Sequence, residues 1–460
     1  MIVKILKKKM KPLMNKFILC ALFAFGICSS VNAEIFKADE FMLDNGLRVV
    51  VVENHKAPLI KQMLWYQVGA TDEFRGRGGS AHLLEHILFR GTKKVSGKEF
   101  NQIMEQNGAV SNAFTGYDVT AYHQFADVSR LEVLMALEAD RMQNLKINKD
   151  DFEAERKIVF QERKQVVENN PASPFYERLR QMLWGTSPYG QPITGLPEDI
   201  MALKFEETLD FYHKYYAPNN AILVLSGDID STTARKLAEK YYGKLEKRPV
   251  EREQPEVQTE HFEQTLKMKL PKITAPKLSI TYLLPQHKNL SGSIYDYTVL
   301  AEFLGGGETS ELYRELVLNR KTALGVSASY NYISRANTTF VVSMTPNTTV
   351  EFSPEKSVED LLAALKKGIN NLTVERLEQI KRKMLADLVF TNDNPETAAY
   401  WIGYMLSLGF SLDEVQNYAD RINKVTLESV KNAFAEVEKN SKVVGILLPS
   451  DEQNGGQDEE

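Results

Sequence analysis

Residues 78–92 read GGSAHLLEHILFRGT, and the rest of the chain is best read outward from them. On a helix His82 and His86 lie one turn apart, so both imidazoles leave the same face, with Glu85 beside them. Leu83, Leu84, Ile87 and Leu88 are then free to pack inward and hold the helix. Two imidazoles at this spacing suit zinc, and an adjacent carboxylate suits proton transfer from a water that the metal activates. A His-x-x-Glu-His run is expected by chance on the order of 0.01 times in a chain of this composition. The plain alternative is two surface histidines beside a helical glutamate.

Catalytic zinc usually takes three protein ligands and leaves a fourth position to water. The chain has two cysteines, Cys20 and Cys28, both close to the N-terminus, so the third donor is expected to be a carboxylate. A helix predicted over 149–168 carries Phe152, Glu155, Val159, Glu162 and Val166 along one face. Two glutamates thus interrupt an apolar stripe, and burying them is costly unless a cation compensates. A bound dication would do so. Solvent, or Arg156 and Arg163 on neighbouring turns, are the other possible partners, and the helix does not say which glutamate binds.

The remaining composition bounds the function. At about 150 residues per domain, 460 residues suggest two to four domains. Formal net charge is −5; removing residues 1–33, with six lysines and no acid, leaves 50 basic against 61 acidic residues, or −11. That balance argues against a nucleic-acid partner. The lysine-rich start, the apolar run from Phe17 to Cys28 and the small residues Val31 and Ala33 have the order of a cleaved signal peptide, assigned to 1–33. The apolar run is short for a membrane span. No stable membrane insertion is expected after cleavage, the mature chain is expected to be cysteine-free, and a periplasmic location fits best.

Two halves of similar outline follow. In 34–247, strands are predicted at 47–52, 61–68 and 221–225, with helices at 79–90, 97–107, 128–145, 149–168, 175–184 and 205–215. The polar, proline-containing segment 248–262 reads as a linker. In 263–449, strands at 264–270, 277–284, 325–333, 338–344 and 443–448 alternate with helices at 294–304, 309–319, 355–369, 373–392, 395–409, 412–422 and 426–437. Each half ends on a helix and an apolar strand, so the predicted fold is α+β, a duplicated unit. Residues 450–460 read as an acidic tail.

The chain resembles the pitrilysin family of zinc metallopeptidases, the inverzincins, which includes insulin-degrading enzyme, the mitochondrial processing peptidase and half-length bacterial enzymes. The residues carrying the resemblance are His82-x-x-Glu85-His86, Glu162 placed 76 residues after His86, and Glu155 seven residues before Glu162. The segment 108–122 (GAVSNAFTGYDVTAY) is similar to the family's substrate-binding edge strand. Ser187-Pro188-Tyr189-Gly190 with Pro192 and Gly195, and Tyr216 to Asp228, are further landmarks.

The resemblance implies two homologous domains, each a mostly antiparallel sheet with helices packed on one side. It implies one Zn2+ per chain held by His82, His86 and Glu162, with Glu85 as general base. Glu155 would orient His86 or tune the site. Asn112, Ala113 and Phe114 would pair with an extended substrate backbone, although an ordinary core strand remains the other reading of that segment. One departure stands out. The family's C-terminal Arg and Tyr positions hold Asn319 and Val326, with Arg320 and Tyr330 one and four residues out of register. Either a neighbour substitutes or a partner chain supplies the pair, so a homodimer or a heterodimer with a related subunit is implied. The expected function is a secreted zinc endopeptidase acting on peptides or unfolded segments. A non-catalytic structural subunit and a periplasmic binding or chaperone module are the alternatives.

Overall fold

Val49 to Val52 is a continuous apolar run, the pattern of a strand buried on both faces. In the computed structural model, which describes residues 37–450 apart from residue 393, it belongs to β2. The signal-peptide assignment and nearly all of the acidic tail therefore lie outside the described residues. The N-terminal sheet contains β1 (Ala38–Met42), β2 (Arg48–Glu53), β3 (Leu59–Tyr66), β4 (Val110–Thr115), β5 (Thr120–Asp127) and β6 (Ala221–Gly227), in the order β1-β2-β6-β3-β5-β4. The C-terminal sheet contains β7 (Glu263–Leu270), β8 (Lys277–Leu284), β9 (Ala323–Asn331), β10 (Thr338–Pro346) and β11 (Ser441–Pro449), in the order β7-β11-β8-β10-β9.

The expected duplication is visible in the topology. In each half the last strand inserts between the first two of a common five: β6 lies parallel to β2 and antiparallel to β3, and β11 lies parallel to β7 and antiparallel to β8. Each sheet then ends in an antiparallel hairpin, β4–β5 or β9–β10, whose first strand is the sheet edge. β1 is the addition to this plan.

Each sheet carries helices of its own half on one face. Val49, Val51, Leu64 and Leu223 pack with the helix residues Leu83, Leu84, Ile87 and Val159. The opposite face receives a helix from the other half. Met63, Trp65 and Val224 share a core with Ile402 and Leu406 of the helix Pro395–Ser407. Leu283, Val443 and Leu447 of the C-terminal sheet share one with Phe175, Leu179 and Leu183 of the helix Ser173–Trp184. Apolar surface drives this reciprocal cover, because the second face of each central strand would otherwise remain wet.

Several local expectations need correction. Residues 108–122 are not one strand: β4 ends at Thr115, a turn at 116–119 reverses the chain, and Tyr122 lies in β5. Two helices were not foreseen, Pro197–Ala202 and Ser231–Tyr241. The helix foreseen over 309–319 is a π-helical segment from Tyr313 to Asn319. Among the described residues, no helix is long and apolar enough to cross a membrane.

Candidate metal centre

The motif occupies the helix Ser80–Ile87, whose Leu83, Leu84 and Ile87 are fully buried. Its N-cap residue, Gly79, has φ +90°, which favours glycine, and it has no side chain with which to cap the helix. Glu73 takes that role from the preceding loop, accepting the Gly79 N–H at 3.0 Å and the Ala81 N–H at 2.8 Å. The landmark Gly195 is explained by the same corner. It has φ +81°, and a Cβ there would meet the Gly78 carbonyl oxygen at 2.3 Å.

His82, His86 and Glu162 converge. Each offers a ligand atom within 4.8 Å of the others. Glu162 Oε2 lies 3.8 Å from His82 Nε2 and 3.4 Å from His86 Nε2. A tetrahedral ion with bonds of about 2.0–2.1 Å separates its ligands by roughly 3.3 Å, so this donor set fits zinc. The second helix, Lys149–Asn169, supplies Glu162 and keeps Phe152, Glu155 and Val159 buried. The predicted stripe is thus only partly inward, because the Glu162 side chain is 42% exposed and Val166 is exposed as well. Of the two glutamates, it is Glu162 that joins the histidines.

Glu155 lies behind them. Its Oε2 meets His86 Nδ1 at 3.1 Å, and Arg90 binds its other oxygen. Neither Arg156 nor Arg163 takes it, since these pair with Glu153 and Glu177. Burial raises the Glu155 carboxyl, but the His86 bond and the Arg90 charge outweigh this and hold it below its ordinary value. Burial and the neighbouring His86 push His82 down to about 4, keeping it a neutral donor at neutral pH. Burial also lowers His86, yet the Glu155 bond and the charges of Glu162, Glu155 and Glu85 leave it raised.

Glu85 Oε2 accepts the Thr115 hydroxyl at 2.6 Å. Burial raises the Glu85 carboxyl and the Thr115 bond opposes that. The bond joins the motif helix to β4, the edge strand, whose outer side is unpaired in the sheet. Asn112 is exposed on that strand, and Ala113 packs towards the N-terminal core. Phe114 turns to the other face against Trp65 and Tyr400, with ring centroids 5.4 Å away in both cases.

The structure does not bring Arg320 and Tyr330 into this cluster. Arg320 pairs with Glu315 at 2.7 Å and Asp360 at 3.6 Å, while Tyr330 stacks on Tyr297 and Tyr332 and bonds Thr338. Sequence reasoning missed Thr115, Arg90 and Glu73. Arg90 stands four residues after His86, the one spacing that could have revealed it.

Comparison with known proteins places the chain in a family. Residues 48–195 match the Insulinase (Peptidase family M16) family, and residues 202–384 match the Peptidase M16 inactive domain. The chain is 30% identical over 379 residues to the zinc protease PqqE of Helicobacter pylori, covering 78% of this chain and 82% of that protein. It is 30% identical over 210 residues to a probable mitochondrial-processing peptidase subunit beta of Schizosaccharomyces pombe, covering 46% of each. A crystal structure of a protease from Helicobacter pylori superposes with a TM-score of 0.80 at 25% identity, covering 90% of this chain and all of that one. The chain therefore belongs to peptidase family M16, the pitrilysin family, and carries both its N-terminal and its C-terminal domains.

Proposed function

We propose that this protein is an exported zinc-dependent endopeptidase that cleaves peptides or unfolded polypeptide segments. The observation carrying the proposal is the convergence of His82, His86 and Glu162 beside Glu85, which is bonded to an unpaired edge strand. His82, His86 and Glu162 are the residues that would hold one Zn2+. Bound there, zinc supplies Lewis acidity, lowering the pKa of a water and polarising a carbonyl.

Glu85 takes the proton of the attacking water and delivers it to the leaving amine, a role that suits a carboxyl raised by burial. Glu155 keeps the His86 ring oriented by accepting from Nδ1, which leaves Nε2 for the metal. An extended substrate adds to the free side of β4 along Asn112, Ala113 and Phe114, so recognition is chiefly of backbone. Export to the periplasm rests on the sequence of residues 1–33 alone.

We take 34–247 and 263–449 as the two domains, joined by 248–262. Since Asn319 and Val326 stand where an Arg and a Tyr are usual, and Arg320 and Tyr330 are engaged elsewhere, the complete catalytic unit is a pair: two copies or this chain with a related subunit. The relative named as a subunit supports that reading. The test is peptide cleavage by the zinc-loaded chain against Glu85→Gln. Zinc-dependent cleavage by the wild type and its loss in the variant are expected; equal rates would refute the assigned base.

A further inference from the structure

Arg335 lies in the C-terminal half, between β9 and β10, yet its side chain is only 7% exposed and its main bonds are to the N-terminal half. Nε donates to Asp118 Oδ1 at 2.9 Å, and Nη2 donates to Asp72 Oδ1 at 2.9 Å and to the Thr71 hydroxyl at 2.8 Å. The backbone N–H of Arg335 donates to the Tyr189 hydroxyl, which in turn donates to Asp118. Both carboxylates are 2% exposed. Arg252 forms a two-pronged pair with Asp72, but its bond at Asp118 goes to the backbone carbonyl. The Arg335 fork is thus the cation that joins the two acids.

What these acids belong to gives the contact its meaning. Asp118 is in the turn between β4 and β5, three residues after Thr115, which bonds Glu85. Asp72 and Thr71 are in the loop that enters the motif helix, and the next residue, Glu73, caps that helix. Turn and loop are stitched together by Ala70 N–H to Gly116 O and Thr71 N–H to Tyr117 O. One guanidinium therefore grips, from the other domain, the two segments whose relative position sets the edge strand against the motif helix. Lys could supply the charge but not the planar fork that spans both acids.

We propose that Arg335 is a positioning residue: it sets the β4–β5 turn against the loop entering the motif helix, and so the C-terminal domain shapes the substrate track without touching the metal. This rests on the peptidase reading for its catalytic consequence, but the geometry it asserts can be read without activity. The experiment uses the full zinc-loaded chain as wild type, Arg335→Lys and Asp118→Asn, the last serving if the first does not fold. Amide hydrogen exchange, zinc content, and KM and kcat on an extended peptide are measured.

The expected result is exchange roughly tenfold faster at Ala70, Thr71, Gly79 and Ala81, with β6 unchanged. Zinc stays at the wild-type content, KM rises by about 10–100-fold and kcat changes far less. Unchanged exchange at those amides, or acceleration spread evenly over the N-terminal half, overturns the proposal by making Arg335 irrelevant or merely stabilising. A kcat loss with unchanged KM overturns it too. If exchange responds as expected while the wild type cleaves nothing by itself, the positioning stands and two copies of this chain are not the complete catalytic unit.

Discussion

The Thr115 hydroxyl donates to Glu85 Oε2 at 2.6 Å, binding the last residue of an edge strand to the acid of a helix 30 positions earlier. Through this bond the strand that would carry substrate and the group that would carry the proton share one geometry. The bond stabilises the ionised carboxylate, so it opposes the upward push of burial.

Thr115→Val removes that donor while keeping the shape. The Glu85 carboxyl then rises further, and since the base acts ionised, the acid limb of the kcat/KM profile moves to higher pH by about one pH unit. Activity should fall more at pH 6 than at pH 8. A uniform loss at every pH would contradict the role given to the bond.

Glu155→Gln keeps bulk but weakens the hold on His86 and leaves Arg90 facing a neutral amide. Zinc affinity, measured by competition with a chelator, should drop by about 10–100-fold. Unchanged affinity would place Glu155 outside the metal's support.

Chelation should abolish cleavage and leave the far-ultraviolet circular dichroism of the chain intact. The motif helix is held by Leu83, Leu84 and Ile87 in the core rather than by an ion. The melting temperature should fall only as mass action requires, by the stabilisation RT ln(1 + [Zn]/Kd) that binding supplied. Unfolding on chelation would mean that the metal is structural.

A pH effect on stability should come from a histidine outside the cluster as well as from His82. His123, facing Lys61 at 3.0 Å with Glu396 on the far side of that lysine, is pushed down to about 4 by burial and the Lys61 charge. Its ordinary value is 6.5, so between those limits the unfolded chain binds a proton that the folded one refuses. Stability is therefore lost as pH falls through that window. His123→Gln should flatten this part of the stability curve, measured by urea unfolding at several pH values. An unaltered curve would assign the loss to other groups.

The cluster of His82, His86 and Glu162 was legible because its signal is local: one helical turn joins His82 to His86, and one helix face limits the third donor to two glutamates. The choice between Glu155 and Glu162 was not set by the helix itself, since both share a face and only tertiary packing buries one and leaves the other half out. The β4–β5 hairpin was read as one strand because the resemblance was taken over 108–122 as a single run, without weighing Gly116-Tyr117-Asp118 as a turn. The helix Ser231–Tyr241 was missed for its polar composition. Least legible was the seam between domains. Arg335 and Asp118 are 217 residues apart, and no periodicity links residues at such a distance. The helix Pro395–Ser407 did carry a hint: it is apolar on nearly every face, as a helix packed between two layers must be.

The most direct measurement is anomalous diffraction at the zinc edge from crystals of the zinc-loaded chain. The account predicts one peak, with His82 Nε2, His86 Nε2 and a Glu162 carboxylate oxygen each about 2.0–2.2 Å away. A peak held by other residues, or none at this cluster in protein that retains zinc, would contradict it.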